Sequence, residues 1–291
     1  MRRFDYFAPA SLDEAIALLQ QRGDVSKLLA GGTDLLVQVK EAGLRPSAVI
    51  SLHHLQELRG IEFNDARGLR AGALTDMASV AEHPIIRQRY AALAEGAGMV
   101  GSIQTRNMAT LGGNIANAAP SADTAPPLVV FDAIAEVAGA GGRREIPVSE
   151  LFAGPGRTTL APHEVLAGFR LAAPPPATGS VYQRHTPRKI MDIAVVGVAV
   201  RLTLAPGDGT ISEARICLGA VAPTVIRAPE AEAALTGQAP TGELFARAAG
   251  LAQAAARPIS DVRGSAGFRR YLVGVMTKRC LGIALERAQA G

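Results

Sequence analysis

The chain contains no tryptophan, and its 291 residues include only four tyrosines, eight phenylalanines, two cysteines and four lysines. Each scarcity excludes something. Cys217 and Cys280 stand 63 positions apart, too few and too distant for a zinc site, an iron–sulfur cluster or a disulfide framework. Arginine supplies the other 26 cations. They are scattered, with no group denser than the pairs Arg143-Arg144 and Lys278-Arg279. A nucleic-acid surface needs a basic stripe with interleaved aromatics, so the net charge of +4 reads as an ordinary solvated surface. The most apolar run, Ile193 to Val200, is eight residues long, far short of the ~20 needed to span a bilayer. At the N-terminus, Asp13 and Glu14 interrupt before an apolar core can form, which argues against a signal peptide. A protein without a membrane span, residing in the cytoplasm, is expected.

What is present is aliphatic and punctuated. Hydrophobic residues make up 48% of the chain, with 31 glycines and 18 prolines, and the length suggests two domains or three small ones. Ser11 followed by Asp13 and Glu14 predicts a capped helix carrying Leu12, Ala15, Ile16 and Leu19 on one face and ending at Gly23. Val25 to Ala30 reads as a strand, Leu35 to Lys40 as a helical turn and Val49 to Leu52 as another strand, a small βαβ-like unit.

Further on, Leu69 to Leu74 predicts a strand, Met77 to Glu82 a helix and Ile85 to Ala97 a second helix. Arg106 to Asp123 has no charge inside it but many Asn, Ser, Gly and Thr residues, and is expected to be a long functional loop. Ala172 to Ala177, stiffened by three prolines, is the clearest linker. Beyond it, Ile193 to Leu204 and Ala214 to Ala220 read as strands joined by the turn Pro206-Gly207-Asp208-Gly209, and the remainder as helical. Phe268, Tyr271, Leu272, Val275 and Met276 are expected to form the buried stripe of the closing helix, with Cys280 as a small buried hydrophobe.

Two segments share a chemistry: Ala30-Gly31-Gly32-Thr33-Asp34 and Thr110-Leu111-Gly112-Gly113-Asn114. Paired glycines let backbone approach a ligand and turn successive N–H groups onto an anion; Thr33 and Thr110 add hydroxyls, and a helix start after the first favours negative charge. Either segment alone is as well read as an ordinary glycine turn, whereas the two together suit a pyrophosphate. Neither matches the Gly-x-Gly-x-x-Gly dinucleotide fingerprint or the Gly-x-x-x-x-Gly-Lys phosphate loop. His53-His54 lacks a partner at metal-ligand spacing and reads as a surface loop. His185 reads as structural or exposed.

The segments Leu28-Leu29-Ala30-Gly31-Gly32-Thr33-Asp34-Leu35 and Gly101-Ser102-Ile103-Gln104-Thr105-Arg106-Asn107-Met108-Ala109-Thr110-Leu111-Gly112-Gly113-Asn114, continued to Asp123, resemble the FAD-binding (medium) subunit of the molybdenum hydroxylases, the carbon monoxide dehydrogenase and xanthine dehydrogenase family. Tyr182 to His185 and Arg188 to Ala194 extend the resemblance over essentially the whole chain. It implies an α+β fold: a two-subdomain FAD-binding cradle of the p-cresol methylhydroxylase type, residues 1–55 and 56–172, followed by a C-terminal α+β domain, 178–288. It implies FAD held by Leu28, Leu29, Ala30, Gly31, Gly32, Thr33, Asp34 and Leu35 at the pyrophosphate. Gly101, Thr110, Gly113 and Asn114 belong to the second segment, and Asp123 would accept hydrogen bonds from flavin-side hydroxyls. Leu166 and Arg184 fall where relatives contact the flavin region; lysine is commoner at the second. Val100 falls where some relatives carry an aromatic near the adenine.

By the same resemblance, the chain is an electron-transfer subunit with no substrate-hydroxylating centre of its own. Its partners would be a small iron–sulfur subunit with two [2Fe–2S] clusters and a large molybdopterin subunit, in a dimer of heterotrimers. Electrons would leave to NAD, a quinone or another carrier. The alternative is a free-standing FAD-dependent oxidoreductase of the same cradle fold; a scaffold whose flavin site has decayed is the third reading.

Overall fold

A computed structural model describes residues 3–188 and 191–290; Lys189 and Ile190, inside one of the family-like segments, lie outside the described residues. The chain begins with β1 (Asp5–Phe7), α1 (Leu12–Arg22), β2 (Ser26–Leu29), α2 (Leu35–Lys40) and β3 (Ala48–Ser51). Ser11 caps α1 by accepting from the Glu14 N–H, Gly23 ends it at φ +68°, and Leu12, Ala15, Ile16 and Leu19 are the buried face, as the periodicity predicts. The three strands pair in parallel in the order β1-β3-β2. The first of them, Asp-Tyr-Phe, carries no alternation by which the sequence could announce it.

The middle of the chain comprises β4 (Ile61–Asn64), β5 (Gly68–Gly72), the helices α3 (Met77–Glu82), α4 (Pro84–Arg89), α5 (Ala91–Gly98), α6 (Ile103–Arg106), α7 (Leu111–Ala116) and α8 (Ala125–Val130), then β6 (Ile134–Gly139), β7 (Gly142–Pro147), the hairpin β8 (Phe152–Gly154) and β9 (Arg157–Thr158), and β10 (Val165–Leu171). The antiparallel sheet runs β4-β5-β10-β6-β7, so β10 closes between strands far from it in sequence. The expected single helix over Ile85 to Ala97 is instead two, broken at Tyr90 (φ −128°, ψ 44°). Tertiary packing decides this: Tyr90 is fully buried, lies 5.0 Å from the Phe131 ring, and donates its hydroxyl to the Ala172 carbonyl.

The last part is β11 (Thr178–His185), β12 (Val196–Leu204), β13 (Ile211–Gly219), β14 (Ile226–Arg227), α9 (Pro229–Leu235), α10 (Gly242–Ala255) and α11 (Ala266–Ala290), with the sheet in strand order. Every residue of β12 is buried because both faces of this sheet are covered. The ladder Tyr182–Ala199–Cys217 faces the core of the middle region, while Val181, Val200 and Ile216 face the core under α9, α10 and α11. Gly179 lets α11 close onto β11, since a Cβ there would stand 1.9 Å from the Ala284 carbonyl oxygen. The strand expected from Ile193 begins at Val196, after a turn in which the Val195 N–H donates to the His185 carbonyl.

The expected stripe of α11 is corrected at three of its five residues, since Met276 is buried and Leu272 packs against the core. Tyr271 is 62% exposed, and Phe268 and Val275 are exposed too; the buried face is Val273, Met276, Cys280, Leu281, Ala284 and Ala288. Two helical stripes compete here, and the one with smaller side chains allows the close approach. Leu281→Ala should therefore cost about 2–5 kcal/mol, as for a buried leucine, while Tyr271→Ala stays within about 0.5 kcal/mol. Urea denaturation of the two variants checks this; the reverse order would restore the expected stripe.

Candidate functional site

The first glycine segment joins the end of β2 to the start of α2 and is shaped by a neighbour. A Cβ on Gly31 would lie 1.9 Å from the Met108 carbonyl oxygen, so only glycine permits the contact. Gly32 turns the chain at φ +74°. Intrahelical bonding begins with the Leu36 N–H to Gly32 O and the Gln38 N–H to Asp34 O. The N–H groups of Gly31, Gly32, Thr33 and Asp34 consequently have no acceptor among the described residues. Four successive donors without a partner form the kind of concavity that binds an anion. Desolvation at the turn raises the Asp34 carboxyl above its usual value.

The second segment is not the open loop expected over Arg106 to Asp123. It folds into α6, a turn and α7. Ser102 caps α6 and Thr110 caps α7, the Thr110 hydroxyl accepting from the Gly113 N–H at 3.1 Å. Caps of this kind supply the nucleation that a glycine-rich hexamer lacks. Tertiary contact does the rest: the Leu111 and Gly112 N–H groups donate to the carbonyls of Thr75 and Ala73. A Cβ on Gly112 would meet the Ala73 Cβ at 2.5 Å. Gln38 of α2 reaches across to the Asn117 side chain, joining the two segments.

Between them lies a cleft of about 720 Å³, within the usual range for a cofactor site. Its wall includes Leu28, Ala30, Gly31, Gly32, Thr33, Asp34 and Leu35 from the first segment and Thr110, Gly113 and Asn114 from the second. Val100 and Leu166 also line it. Val165 and Leu166 both face the cleft, where a register shift interrupts the pairing of β10 with β6 between Leu166 and Gly168; such a bulge re-aims side chains that would otherwise alternate. Sequence reasoning missed Leu74, Leu160, Glu164 and Val165, of which only Val165 lies in a paired strand. Glu164, at the rim, receives two bonds from Arg144 at 2.6 and 2.7 Å, which hold its carboxyl below the usual range.

Four expected residues stand apart from the cleft wall. Leu29 is in β2, paired with Ser51, and Gly101 makes the turn into α6 at φ +49°. Asp123 and Arg184 meet each other instead: both side chains are buried, and the Arg184 guanidinium donates to one carboxylate oxygen while the Tyr182 hydroxyl donates to the other at 2.8 Å. Burial raises the Asp123 carboxyl and the Arg184 charge opposes that rise. Gly197 makes room, since a Cβ there would lie 2.6 Å from the Tyr182 hydroxyl. The pair ties β11 to the backbone just ahead of α8. Arg184 and Asp123, both expected near the flavin, thus form an interior ion pair with each other.

His53 and His54 are on an exposed turn, where Arg59 donates to the His53 carbonyl. His185 packs edge-on to Phe268. Cys280 and Cys217 are fully buried, and burial pushes the Cys280 thiol up to about 12.

Residues 2–174 match the family described as the FAD binding domain in molybdopterin dehydrogenase, and residues 182–284 match the CO dehydrogenase flavoprotein C-terminal domain. The chain is 36% identical over 285 residues to the carbon monoxide dehydrogenase medium chain of Hydrogenophaga pseudoflava, covering 98% of each. It is also 36% identical over 285 residues to a putative xanthine dehydrogenase FAD-binding subunit of Escherichia coli, covering 97% of this chain and 96% of that one. Among solved structures, carbon monoxide dehydrogenase of Hydrogenophaga pseudoflava superposes with a TM-score of 0.94 at 38% identity over 98% of both chains. Quinoline 2-oxidoreductase of Pseudomonas putida superposes with a TM-score of 0.91 at 29% identity, over 99% of this chain and 98% of that one.

The interior ion pair makes a stability prediction. Asp123→Ala strands the Arg184 charge and should cost about 3–5 kcal/mol, whereas replacing both partners, Asp123→Leu with Arg184→Met, should cost clearly less. Denaturant midpoints of the two variants decide it; equal losses would mean that the pair is not the buried unit described.

Proposed function

The chain belongs to the family of FAD-binding subunits of the molybdenum hydroxylases, and from that premise we propose that it works as the electron-transfer subunit of such an enzyme, with FAD lying in the cleft between the two glycine segments. The observation that carries the placement is the run of four N–H groups, Gly31 to Asp34, that find no acceptor among the described residues. A diphosphate supplies the acceptors they lack. Thr33, Thr110, Gly113 and Asn114 would complete the polar wall, and Leu74, Val165 and Leu166 offer apolar surface to the ring system and keep water from it. Val100 cannot stack on an adenine as an aromatic would. When bound, FAD supplies a carrier able to take up electrons from one partner and release them to another. Asp123 and Arg184 act behind the cleft, bracing the C-terminal sheet against the turn that leads into α8.

The partners proposed are a small iron–sulfur subunit carrying two [2Fe–2S] clusters and a large molybdopterin subunit, assembled as a dimer of heterotrimers. The chain's own chemistry supports the division of labour: its two cysteines are buried in separate cores, burial raises both thiols, and a cluster needs four thiolates converging. Electrons would arrive from the clusters and pass on to NAD, a quinone or another carrier. A cytoplasmic location is proposed with it; no helix among the described residues is long and apolar enough to cross a membrane.

The test is an absorbance spectrum of the protein with whatever subunits co-purify, followed by acid release of the chromophore. Released FAD with a small iron–sulfur chain and a large chain is expected; turnover of a simple donor by the isolated chain would contradict the subunit reading. Gly113→Val should abolish FAD retention, because Gly113 lines the cleft and a side chain there would block close approach of the cofactor to the backbone. Stoichiometric flavin in that variant would overturn the two-segment placement.

A further inference from the structure

Thr124 occupies the N-cap position of α8, where a threonine hydroxyl ordinarily accepts from the N–H of the second or third helical residue. Here those residues are Pro126 and Pro127, which have no N–H to give. Thr124 accordingly makes no capping bond. It is completely buried, and its Oγ1 donates instead to Asn114 Oδ1 at 2.6 Å. Asn114 is in the wall of the cleft. With its oxygen held by a buried hydroxyl, its amide nitrogen has no acceptor among the described residues and is not one of their buried unsatisfied atoms. The Asn114 N–H to Thr110 O bond fixes the backbone beneath it.

We propose that Thr124 is a positioning residue for the cofactor: by taking the Asn114 oxygen, it presents the Asn114 NH₂ group to the cleft as a donor for an oxygen of bound FAD. An asparagine amide free to flip would offer its oxygen half the time, and an oxygen facing a phosphate or a flavin carbonyl repels it. The proposal rests on FAD occupying this cleft.

A double-mutant cycle on FAD affinity tests it, using the full chain with whatever subunits co-purify, stripped of flavin and titrated with FAD by fluorescence quenching. Thr124→Val should weaken binding about tenfold, the worth of one hydrogen bond of about 1.4 kcal/mol, and Thr124→Ser should restore it. Asn114→Ala should weaken binding at least as much. In the Asn114→Ala background, Thr124→Val should have no further effect, because a residue acting through another is silent once that other is gone. Additive losses would overturn the proposal, as would a Thr124→Val protein with unchanged affinity. Thr124→Ala is the substitute if the valine variant does not fold, with the same four-way comparison. Loss of FAD binding in the unsubstituted protein would instead count against the placement in the cleft, so the two failures are distinguishable.

Discussion

The close approach of the two glycine segments is the constraint on which the molecule depends. Gly31 stands against the Met108 carbonyl and Gly112 against Ala73, each at a separation that excludes a side chain. The first contact presses the turn after the parallel sheet onto the turn before α7. The second presses α7 onto the residue that leaves β5. With both in place, α2 and α7 begin on opposite sides of one cleft, and the residues carrying four backbone donors line it without an acceptor among the described residues. A site for an anionic cofactor is thus a by-product of how tightly backbone can pack where glycine stands.

The C-terminal sheet is held to this cradle by polar groups and by a shared strand. One face of β12 packs on the core of the middle region and the other on the core under α9, α10 and α11, so lifting the sheet from the cradle would open the first of these. Near the cleft, Asp123 gathers Tyr182 and Arg184 from β11. At the other end of α8, Asp132 pairs with Arg201 and Arg215. The Asp123–Arg184 pair is buried, whereas Asp132 is exposed, so the first is the one whose loss strands a charge in the interior.

Much of this was legible before the fold was known. The cap at Ser11, the stop at Gly23 and the segments around Gly31 and Gly112 are local signals, written in residue types whose backbone preferences are strong. Fold family and cofactor followed from the paired segments, and the family matches agree with them. What could not be read depends on contacts distant in sequence. The 106–123 segment looks like a loop because its caps, Ser102 and Thr110, count only once Ala73 and Thr75 accept the N–H groups of Gly112 and Leu111. Tyr90 breaks a helix for the sake of Phe131 and Ala172. Leu166 faces the cleft because of a bulge opposite β6. On α11 the larger apolar residues point outward, since Gly179 admits only the face built around Cys280 and Ala284. The pairing of Arg184 with Asp123, 61 positions away, shows only once β11 lies against the turn ahead of α8.

Amide hydrogen exchange with and without FAD tests the central claim most directly, because it reads the backbone donors themselves. On addition of FAD, the N–H groups of Gly31, Gly32, Thr33 and Asp34, which exchange freely without an acceptor, should become protected, while those of α1 stay as they were. Protection confined to other parts of the chain, with residues 31–34 still exchanging freely in the FAD-bound protein, would contradict the account.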